Sequence, residues 1–336
     1  MPPINIFLTG ATGYIGGSVL AALLSHPRTK GFEITVLIRT AAKVSGFASV
    51  GVKPVVGTNA DIPLLTKLAA QSDVVVACAD ADDLDAARAM LAGLQYRYRQ
   101  TGSPSILIHT SGAGVLDDDA KGNFASNEIY SDLDIAKMES LPRTQPHRDV
   151  DLAIVAAGYV RTHIVLPGLV YGIAETPLVS LGLQNPRSQQ IPKLIEAGTE
   201  RHQGGVVGKG LNIWSNVHID DLASLYICIF ETALDNPQLQ HGREGLYFGA
   251  SDEESMGVIA RVVAEELHAE GLGRDAAPTV FTEAEVAKYF GGPFMGNNAR
   301  ARGERGRTIG WKPLYTTEDM LDSIEGEIKA SGVWLI

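Results

Sequence analysis

A glycine-rich segment near the start of the chain has the spacing of a phosphate-binding turn. Residues 9–16 have the sequence TGATGYIG and stand between an apolar run and a helical pattern. In such a turn Gly10 would allow the chain to turn tightly after the strand, and Gly13 would let the backbone approach a diphosphate closely. Gly16 would let helix and strand pack closely. The first N–H groups of the helix would bind phosphate oxygens. The predicted dinucleotide-binding residues are Gly10, Thr12, Gly13, Tyr14, Ile15 and Gly16.

The end of the next apolar run indicates which dinucleotide would bind. An NAD site places an acidic residue there, where it accepts hydrogen bonds from the ribose hydroxyls. Here the run ends Leu37-Ile38-Arg39, and no acidic residue lies between Arg39 and Lys43. A guanidinium suits the 2′-phosphate of NADP, whereas the alternative for Arg39 is a solvated surface position. The sequence therefore predicts NADP as the cofactor.

Strands and helices alternate around these two segments. The predicted strands share an apolar, β-branched composition and cover residues 4–9, 33–39, 54–56, 74–78 and 105–110. Because they are apolar throughout instead of alternating, helices should cover both faces of their sheet. This order predicts an α/β fold of the Rossmann type, a doubly wound parallel sheet with a smaller C-terminal substrate-binding region.

The pattern becomes less regular after Pro142, which suggests how the chain is divided. The dinucleotide-binding domain would comprise residues 1–165 with interleaved segments near 211–250. The substrate-binding region would comprise residues 166–210 and 251–336.

Two segments of that second region are predicted to be lids over a cleft, 173–190 and 291–307. The second is rich in arginine. We interpret these arginines as a solvated loop that balances an acidic protein, with contacts to an anionic substrate as the alternative.

Composition limits the classes of partner. The chain of 336 residues has a formal net charge of −11, which repels nucleic-acid phosphates and anionic lipid. No apolar stretch is long enough for a membrane span, and no signal peptide is apparent. Two cysteines, Cys78 and Cys228, lie in apolar runs and are typical of buried thiols in a reducing compartment. We therefore expect a cytoplasmic protein with a small-molecule substrate and no nucleic-acid or membrane partner.

Several segments together resemble one family, the extended and atypical short-chain dehydrogenases, which include epimerase/dehydratase-like and NmrA-like branches. Besides the glycine turn, residues 166–172 (LPGLVYG) are similar to the family's RPxxVYG, with Leu166 in place of arginine. Residues 216–223 (NVHIDDLA) are similar to VHVDDLA, and 309–313 (IGWKP) approximate LGWxP. The resemblance covers nearly the whole chain. It is specific for the fold and much less so for any substrate.

The resemblance implies roles for particular residues. Ser111 stands where the family carries its catalytic Ser or Thr, after the fifth strand. The backbone at Pro167 and Val170 would meet the nicotinamide carboxamide. Homodimers are frequent in the family. His218 with the two aspartates after it is interpreted as an acidic cap on a helix 222–234, so no metal site is expected.

The family's catalytic tyrosine is missing. Family enzymes donate a proton from the tyrosine of a YxxxK motif, whose lysine also hydrogen-bonds the nicotinamide ribose. Here residues 133–137 are LDIAK, so Lys137 fits but Leu133 occupies the tyrosine position. Lys137 would keep its cofactor role. Tyr130 is the candidate replacement if it lies on a loop that folds into the cleft, and a packing aromatic is the alternative.

Two classes of function follow. The first is an NADP(H)-binding oxidoreductase that reduces a small carbonyl, imine or activated alkene. Ser111 would orient the substrate oxygen, and Tyr130, water or the substrate would supply the proton. The alternative is a non-catalytic NADP-sensing regulatory protein of the NmrA-like kind, or a redox-neutral isomerase or lyase on the same fold.

Overall fold

The computed structural model describes residues 2–331, so Met1 and residues 332–336 of the predicted domain ranges lie outside it. The strands are β1 (Ile4–Thr9), β2 (Phe32–Ile38), β3 (Lys53–Val56), β4 (Val74–Ala77), β5 (Ile106–Thr110), β6 (Tyr130–Ser131), β7 (Arg161–Pro167), β8 (Leu169–Tyr171), β9 (Gly205–Val206), β10 (Ile213–His218), β11 (Leu246–Gly249), β12 (Asp252–Ser255), β13 (Thr279–Val280) and β14 (Ala301–Arg302).

The α-helices are α1 (Tyr14–Leu24), α2 (Val44–Ser49), α3 (Ile62–Ala70), α4 (Leu84–Thr101), α5 (Ile135–Glu139), α6 (Arg148–Val155), α7 (Pro177–Ser180), α8 (Gln190–Arg201), α9 (Ile219–Asp235), α10 (Met256–Ala269), α11 (Glu283–Phe290), α12 (Glu304–Thr308) and α13 (Thr317–Ala330). No helix within residues 2–331 combines the length and apolarity that a bilayer crossing requires.

Seven parallel strands form the central sheet in the order β11-β7-β5-β4-β1-β2-β3. Successive side chains enter cores on opposite faces. Ile6 and Leu8 of β1 pack with α1 and α9, whereas Phe7 packs with α3 and α4. Both faces of the sheet are therefore buried by helices, and the predicted doubly wound Rossmann-type fold is confirmed.

A second layer of structure lies beyond the sheet. Strands β12, β10 and β8 form a small mixed sheet, in which β10 pairs antiparallel with β12 and parallel with β8. Its neighbours α8, α10 and α13 bury Leu194, Val263 and Ile324. These residues belong to the same continuous core as Phe7. The division into two regions therefore stays a proposal, since their apolar interiors merge.

The interpretation of segment 291–307 as a solvated loop holds for Arg302 and Arg307, which are exposed, and is wrong for Arg300 and Arg305, which pack into the fold. Arg305 is only 5% exposed, and its guanidinium donates to the backbone carbonyl of Asp132. Arg300 pairs with Glu253. The sequence offered no indication of these partners, which lie far away along the chain.

The start of α9 also differs from the expectation. His218 itself is the cap, since its Nδ1 accepts a hydrogen bond from the amide of Asp220 at 3.2 Å. Asp221 lies inside the helix, buried, and its carboxylate accepts from the amides of Leu314 and Tyr315. Among residues 2–331 no group of His, Cys, Asp and Glu side chains is arranged to hold a metal ion.

Candidate functional site

The glycine turn has the backbone geometry that its spacing predicts. Gly10 has φ +79°, and a Cβ there would lie 2.5 Å from the carbonyl oxygen of Cys78. A Cβ at Gly16 would lie 2.4 Å from the carbonyl oxygen of Gly10. Both positions require glycine because the first turn of α1, the backbone after β1 and the backbone after β4 approach each other closely.

The N-terminus of α1 is open to receive an anion. Gly13 is its N-cap, no side chain caps the first turn, and that turn contains no acidic residue. A Cβ at Gly13 would meet only the carbonyl oxygen of Gly10, at 3.2 Å, and open space lies beyond. The unpaired N–H groups and the helix dipole together favour a phosphate group at this end. The turn therefore fits the diphosphate of a dinucleotide.

The hydroxyl of Tyr14 is committed to the backbone. It hydrogen-bonds the carbonyl oxygens of Tyr171 (2.9 Å) and Gly172, directly after β8. Burial raises the pKa of Tyr14 well above its usual value. This tyrosine therefore fixes α1 to the end of β8 and keeps its proton.

One cavity of about 590 Å³ begins at the glycine turn and runs along the carboxyl ends of the strands. Seven of the predicted site residues line it: Gly13, Tyr14, Ile15, Gly16, Ser111, Pro167 and Val170. The far wall combines the aromatic side chains of Trp214 and Phe294 with Lys193. In parallel α/β folds this edge of the sheet is where ligands bind.

The segment between β8 and α8 forms one side of the cavity and is fastened to α1. The side-chain amide of Gln184 donates to the carbonyl oxygen of Tyr14 at 3.1 Å and to the Ser18 hydroxyl at 2.9 Å. The amide of Asn185 donates to the carbonyl oxygen of Thr12 at 2.9 Å. Contrary to the expectation of a lid, this part of 173–190 is a fixed wall.

Ser111 lies at the end of β5 and is already hydrogen-bonded. Its hydroxyl donates to Oδ2 of Asp151 at 3.0 Å, and the two residues are 6% and 1% exposed. Burial raises the pKa of Asp151 to about 6, although the hydrogen bond from Ser111 opposes this shift. While Asp151 is ionised, Ser111 can only accept a hydrogen bond from a molecule in the cavity.

A histidine absent from the sequence prediction lies beside Ser111. Nδ1 of His147 is 2.8 Å from Oδ1 of Asp82, and the same oxygen accepts the His147 amide at 3.1 Å. A Cβ on Gly112 would lie 3.0 Å from Nε2 of His147, so the ring occupies the space that this glycine leaves. His147 also lines the cavity.

Comparison with known proteins identifies the family. The family model described as NAD(P)H-binding matches residues 10–159, which include the three glycines of the turn, Ser111 and His147. Over 333 residues the chain is 31% identical to the protein named oxidase ucsJ from Acremonium sp., a match that covers 92% of this chain and 93% of that protein. The chain belongs to the extended and atypical short-chain dehydrogenase/reductase superfamily.

Solved structures share the fold of this short-chain dehydrogenase/reductase across nearly its whole length. The dTDP-glucose 4,6-dehydratase of Bacillus anthracis, in complex with NAD, is 17% identical with a TM-score of 0.66, and the match covers 98% of each chain. The UDP-glucose 4-epimerase of Thermotoga maritima, with UDP-glucose, is 13% identical with a TM-score of 0.64, covering 98% of this chain and 99% of that one. At these identities the likeness concerns architecture alone.

The remnant of the YxxxK motif lies apart from the cavity in this short-chain dehydrogenase/reductase. Leu133 is 46% exposed, and neither Tyr130 nor Lys137 is a lining residue. Nζ of Lys137 is 2.6 Å from a carboxylate oxygen of Glu128 and 4.6 Å from the centre of the Tyr130 ring. The side chains of Tyr130 and Lys137 therefore contact each other, but neither of them reaches the cavity. Their catalytic and cofactor roles stay predictions.

Three further predicted residues, Gly10, Thr12 and Arg39, are not among the residues lining the cavity. The carbonyl oxygen of Thr12 binds the amide of Asn185. Arg39 directly follows β2, is exposed, and makes no ion pair with any residue of the stretch 2–331. Its position at the carboxyl end of β2 is the one that the sequence prediction requires.

The position of Asp82 near Ser111 carried a signal that sequence reasoning did not use. Asp82 follows β4 and Ser111 follows β5, and the carboxyl ends of adjacent parallel strands meet. Their proximity could therefore have been predicted. His147 could not, since α6 has only eight residues and was not recognised.

Proposed function

We propose that this protein is an NADP(H)-dependent oxidoreductase that reduces a small carbonyl, imine or activated alkene. The observation that carries the proposal is a cavity lined both by the uncapped N-terminus of α1 and by Ser111, Pro167 and Val170. A dinucleotide held by its diphosphate at α1 would extend its nicotinamide along this cavity. When bound, the reduced nicotinamide supplies a hydride to an unsaturated carbon.

The chain's own residues account for binding and exclusion of water. The open N–H groups of α1 would hold the diphosphate, and the backbone at Pro167 and Val170 would contact the carboxamide. Ser111 would position the substrate oxygen once Asp151 is protonated, because the serine hydroxyl is then free to donate. Trp214 and Phe294 offer apolar surface to a small organic substrate.

NADP is proposed over NAD because of Arg39. The residue stands at the end of β2 with its charge unpaired among residues 2–331, and no acidic residue follows it before Lys43. Nζ of Lys43 donates to the carbonyl oxygen of Leu183 at 3.0 Å, which keeps a second cation in the same region. Both cations would attract a 2′-phosphate.

The binding step is tested with Gly13→Asp. Aspartate is a favoured N-cap, so α1 should form, but its carboxylate would stand where the diphosphate binds. We expect the dissociation constant for NADPH, measured by fluorescence titration, to rise on the order of 100-fold. Gly31→Asp is the matched control, since a Cβ there meets nothing within 4 Å. Equal binding by both variants would contradict the proposal.

The catalytic step is tested by following NADPH consumption with a panel of aldehydes, ketones, imines and enones. The proposal expects steady turnover with at least one class.

A second candidate, a protein that senses NADP without catalysis, is favoured by Leu133 at the tyrosine position. It expects tight NADPH binding, no turnover with the panel, and a set of bound proteins that differs between NADP and NADPH. The panel assay and the binding assay together separate these two candidates.

A further inference from the structure

The cavity contains a histidine suited to proton transfer that neither the sequence motif nor the family resemblance assigns. His147 lines the cavity with its imidazole 22% exposed. Of its two ring nitrogens, Nδ1 is held by Asp82 at 2.8 Å, and Nε2 makes no hydrogen bond with residues 2–331. The free nitrogen lies against Gly112 and Gly114, where Cβ atoms would be 3.0 and 3.3 Å away. Nε2 therefore lies against the backbone of Gly112, the residue that follows Ser111.

The backbone at His147 is held in an unusual conformation. Its φ is +65°, in the left-handed region that L residues seldom adopt, and α6 begins at the next residue. The Asp82 carboxylate holds this conformation by binding both the amide and the ring of His147. Strained backbone of this kind concentrates at functional sites, where the surrounding contacts fix it.

The charges around the ring come from three elements. Asp82 follows β4, Asp151 and Arg148 lie on α6, and His109 is buried in β5. Burial lowers the pKa of His109 to about 4, with the charge of His147 as a smaller cause, so His109 stays neutral near pH 7. Asp82 is thus the group that directly bonds to the ring and favours a proton on Nδ1.

We infer that His147 is the general acid–base residue of this cleft and that Asp82 is its positioning residue. The inference rests on the proposed function. It assigns a proton donor to the cleft, because Leu133 at the tyrosine position cannot donate a proton. In reduction of a carbonyl, the carbon receives a hydride from the reduced nicotinamide, which is thereby oxidised. The C=O π electrons move to oxygen, and the oxygen takes the proton from Nε2 of the imidazolium. The product is an alcohol, and neutral His147 regains a proton from solvent through its exposed edge.

A substrate-free experiment tests the placement. In protein carrying ¹⁵N-histidine, long-range ¹H–¹⁵N spectra report which ring nitrogen is protonated, and His147→Asn identifies the signals by their loss. We expect neutral His147 to carry its proton on Nδ1, to lose that preference in Asp82→Asn, and to shift when NADP is added. His241 is exposed and outside the cavity lining, so its signals should stay. A His147 that ignores both NADP and the Asp82 change overturns the inference.

Turnover tests the chemical role. Asparagine tolerates positive φ, so His147→Asn should fold and bind NADPH with a dissociation constant within twofold of the wild type. With whichever panel carbonyl is reduced, we expect kcat to fall at least 100-fold, and Asp82→Asn to show a smaller fall with a displaced pH profile. The control His241→Gln should match the wild type.

The outcomes separate the two proposals. Full activity in His147→Asn would contradict the catalytic role of His147 but not the proposed function. If the wild type reduces no member of the panel, the proposed function fails, and the NMR comparison alone decides whether His147 faces the cofactor cleft.

Discussion

At the scale of single residues, the sequence predicts features that depend on local spacing but not contacts between residues far apart in the chain. The three glycines of the turn could be predicted because strand, turn and helix are contiguous in sequence. The pair of His147 and Asp82 is separated by 65 positions. No local pattern records such a contact, so the sequence predicts Tyr130 as the proton donor, whereas the structure places Tyr130 against Lys137.

The first residue-scale prediction concerns Arg39. Replacement Arg39→Ser removes the charge proposed for the 2′-phosphate and leaves the contacts of the diphosphate intact. NADPH binding should weaken by about 1.5–3 kcal/mol, the strength of charged hydrogen bonds, and NADH binding should change little. Fluorescence titration with both nucleotides measures the ratio. The same loss for NADH and NADPH would mean that Arg39 does not recognise the phosphate.

The second residue-scale prediction concerns His163, which is fully buried on β7. Neither ring nitrogen has a hydrogen-bond partner among residues 2–331, and burial lowers the pKa of His163 to about 3. Its pKa is therefore lower in the folded than in the unfolded protein. The unfolded chain binds more protons, so stability is complete above about pH 6.5 and is lost as the pH falls below that value.

His163→Leu removes this acid sensitivity. Between pH 7 and pH 5 the variant should lose about 2 kcal/mol less stability than the wild type, since each pKa unit corresponds to about 1.4 kcal/mol. Urea unfolding at the two pH values measures the difference. His268→Gln, at an exposed position, serves as the control. Identical pH dependence in His163→Leu and the wild type would refute the argument.

At the scale of elements, the long apolar segments were predictable and the short ones were not. Residues 83–100 have the pattern of a helix in the sequence, and α4 (Leu84–Thr101) confirms it, because the N-cap aspartate and the apolar period are both local signals. Strand β8 has three residues and pairs with β10, 47 positions later. Its existence depends on that partner, so no pattern within Leu169–Tyr171 could reveal it.

The element-scale prediction concerns how α9 holds the chain before α13. The buried carboxylate of Asp221 accepts hydrogen bonds from the amides of Leu314 and Tyr315, and Nε1 of Trp311 donates to its carbonyl oxygen at 2.8 Å. In Asp221→Asn the side chain loses its charge, and its NH2 group faces the backbone N–H groups of Leu314 and Tyr315, which are themselves donors. We expect a loss of about 2 kcal/mol in the free energy of unfolding.

Urea titration of Asp221→Asn gives the value. Asp220→Asn is the matched control in the same helical turn, with a side chain 62% exposed, and should cost less than 0.5 kcal/mol, about the limit for surface changes. Comparable losses in the two variants would show that the contacts to residues 314 and 315 contribute little.

At the scale of the whole molecule, the continuous core predicts that the protein unfolds as one unit. Phe7 of the central sheet and Ile324 of α13 share that core. We expect a single calorimetric transition, shifted upward by about 4 °C when NADPH is present at 100 times its dissociation constant. Two transitions, with only one of them responding to NADPH, would instead support independent domains.

The assembly and the substrate were the least predictable properties. A homodimer is expected from the family resemblance alone, and light scattering on the purified protein tests it. The substrate depends on the shape of the far wall, where Lys193, Trp214 and Phe294 come from distant parts of the chain. Such convergence is a product of the complete fold and has no local sequence signature.

The attachment of Gln184 and Asn185 to α1 and to the glycine turn has a consequence for association kinetics. One wall of the cleft is in place before any molecule arrives, so little conformational entropy is lost there on binding. Entry of a ligand then needs no slow rearrangement of that wall. Stopped-flow traces with NADPH should therefore be single exponentials whose rates rise linearly with nucleotide concentration.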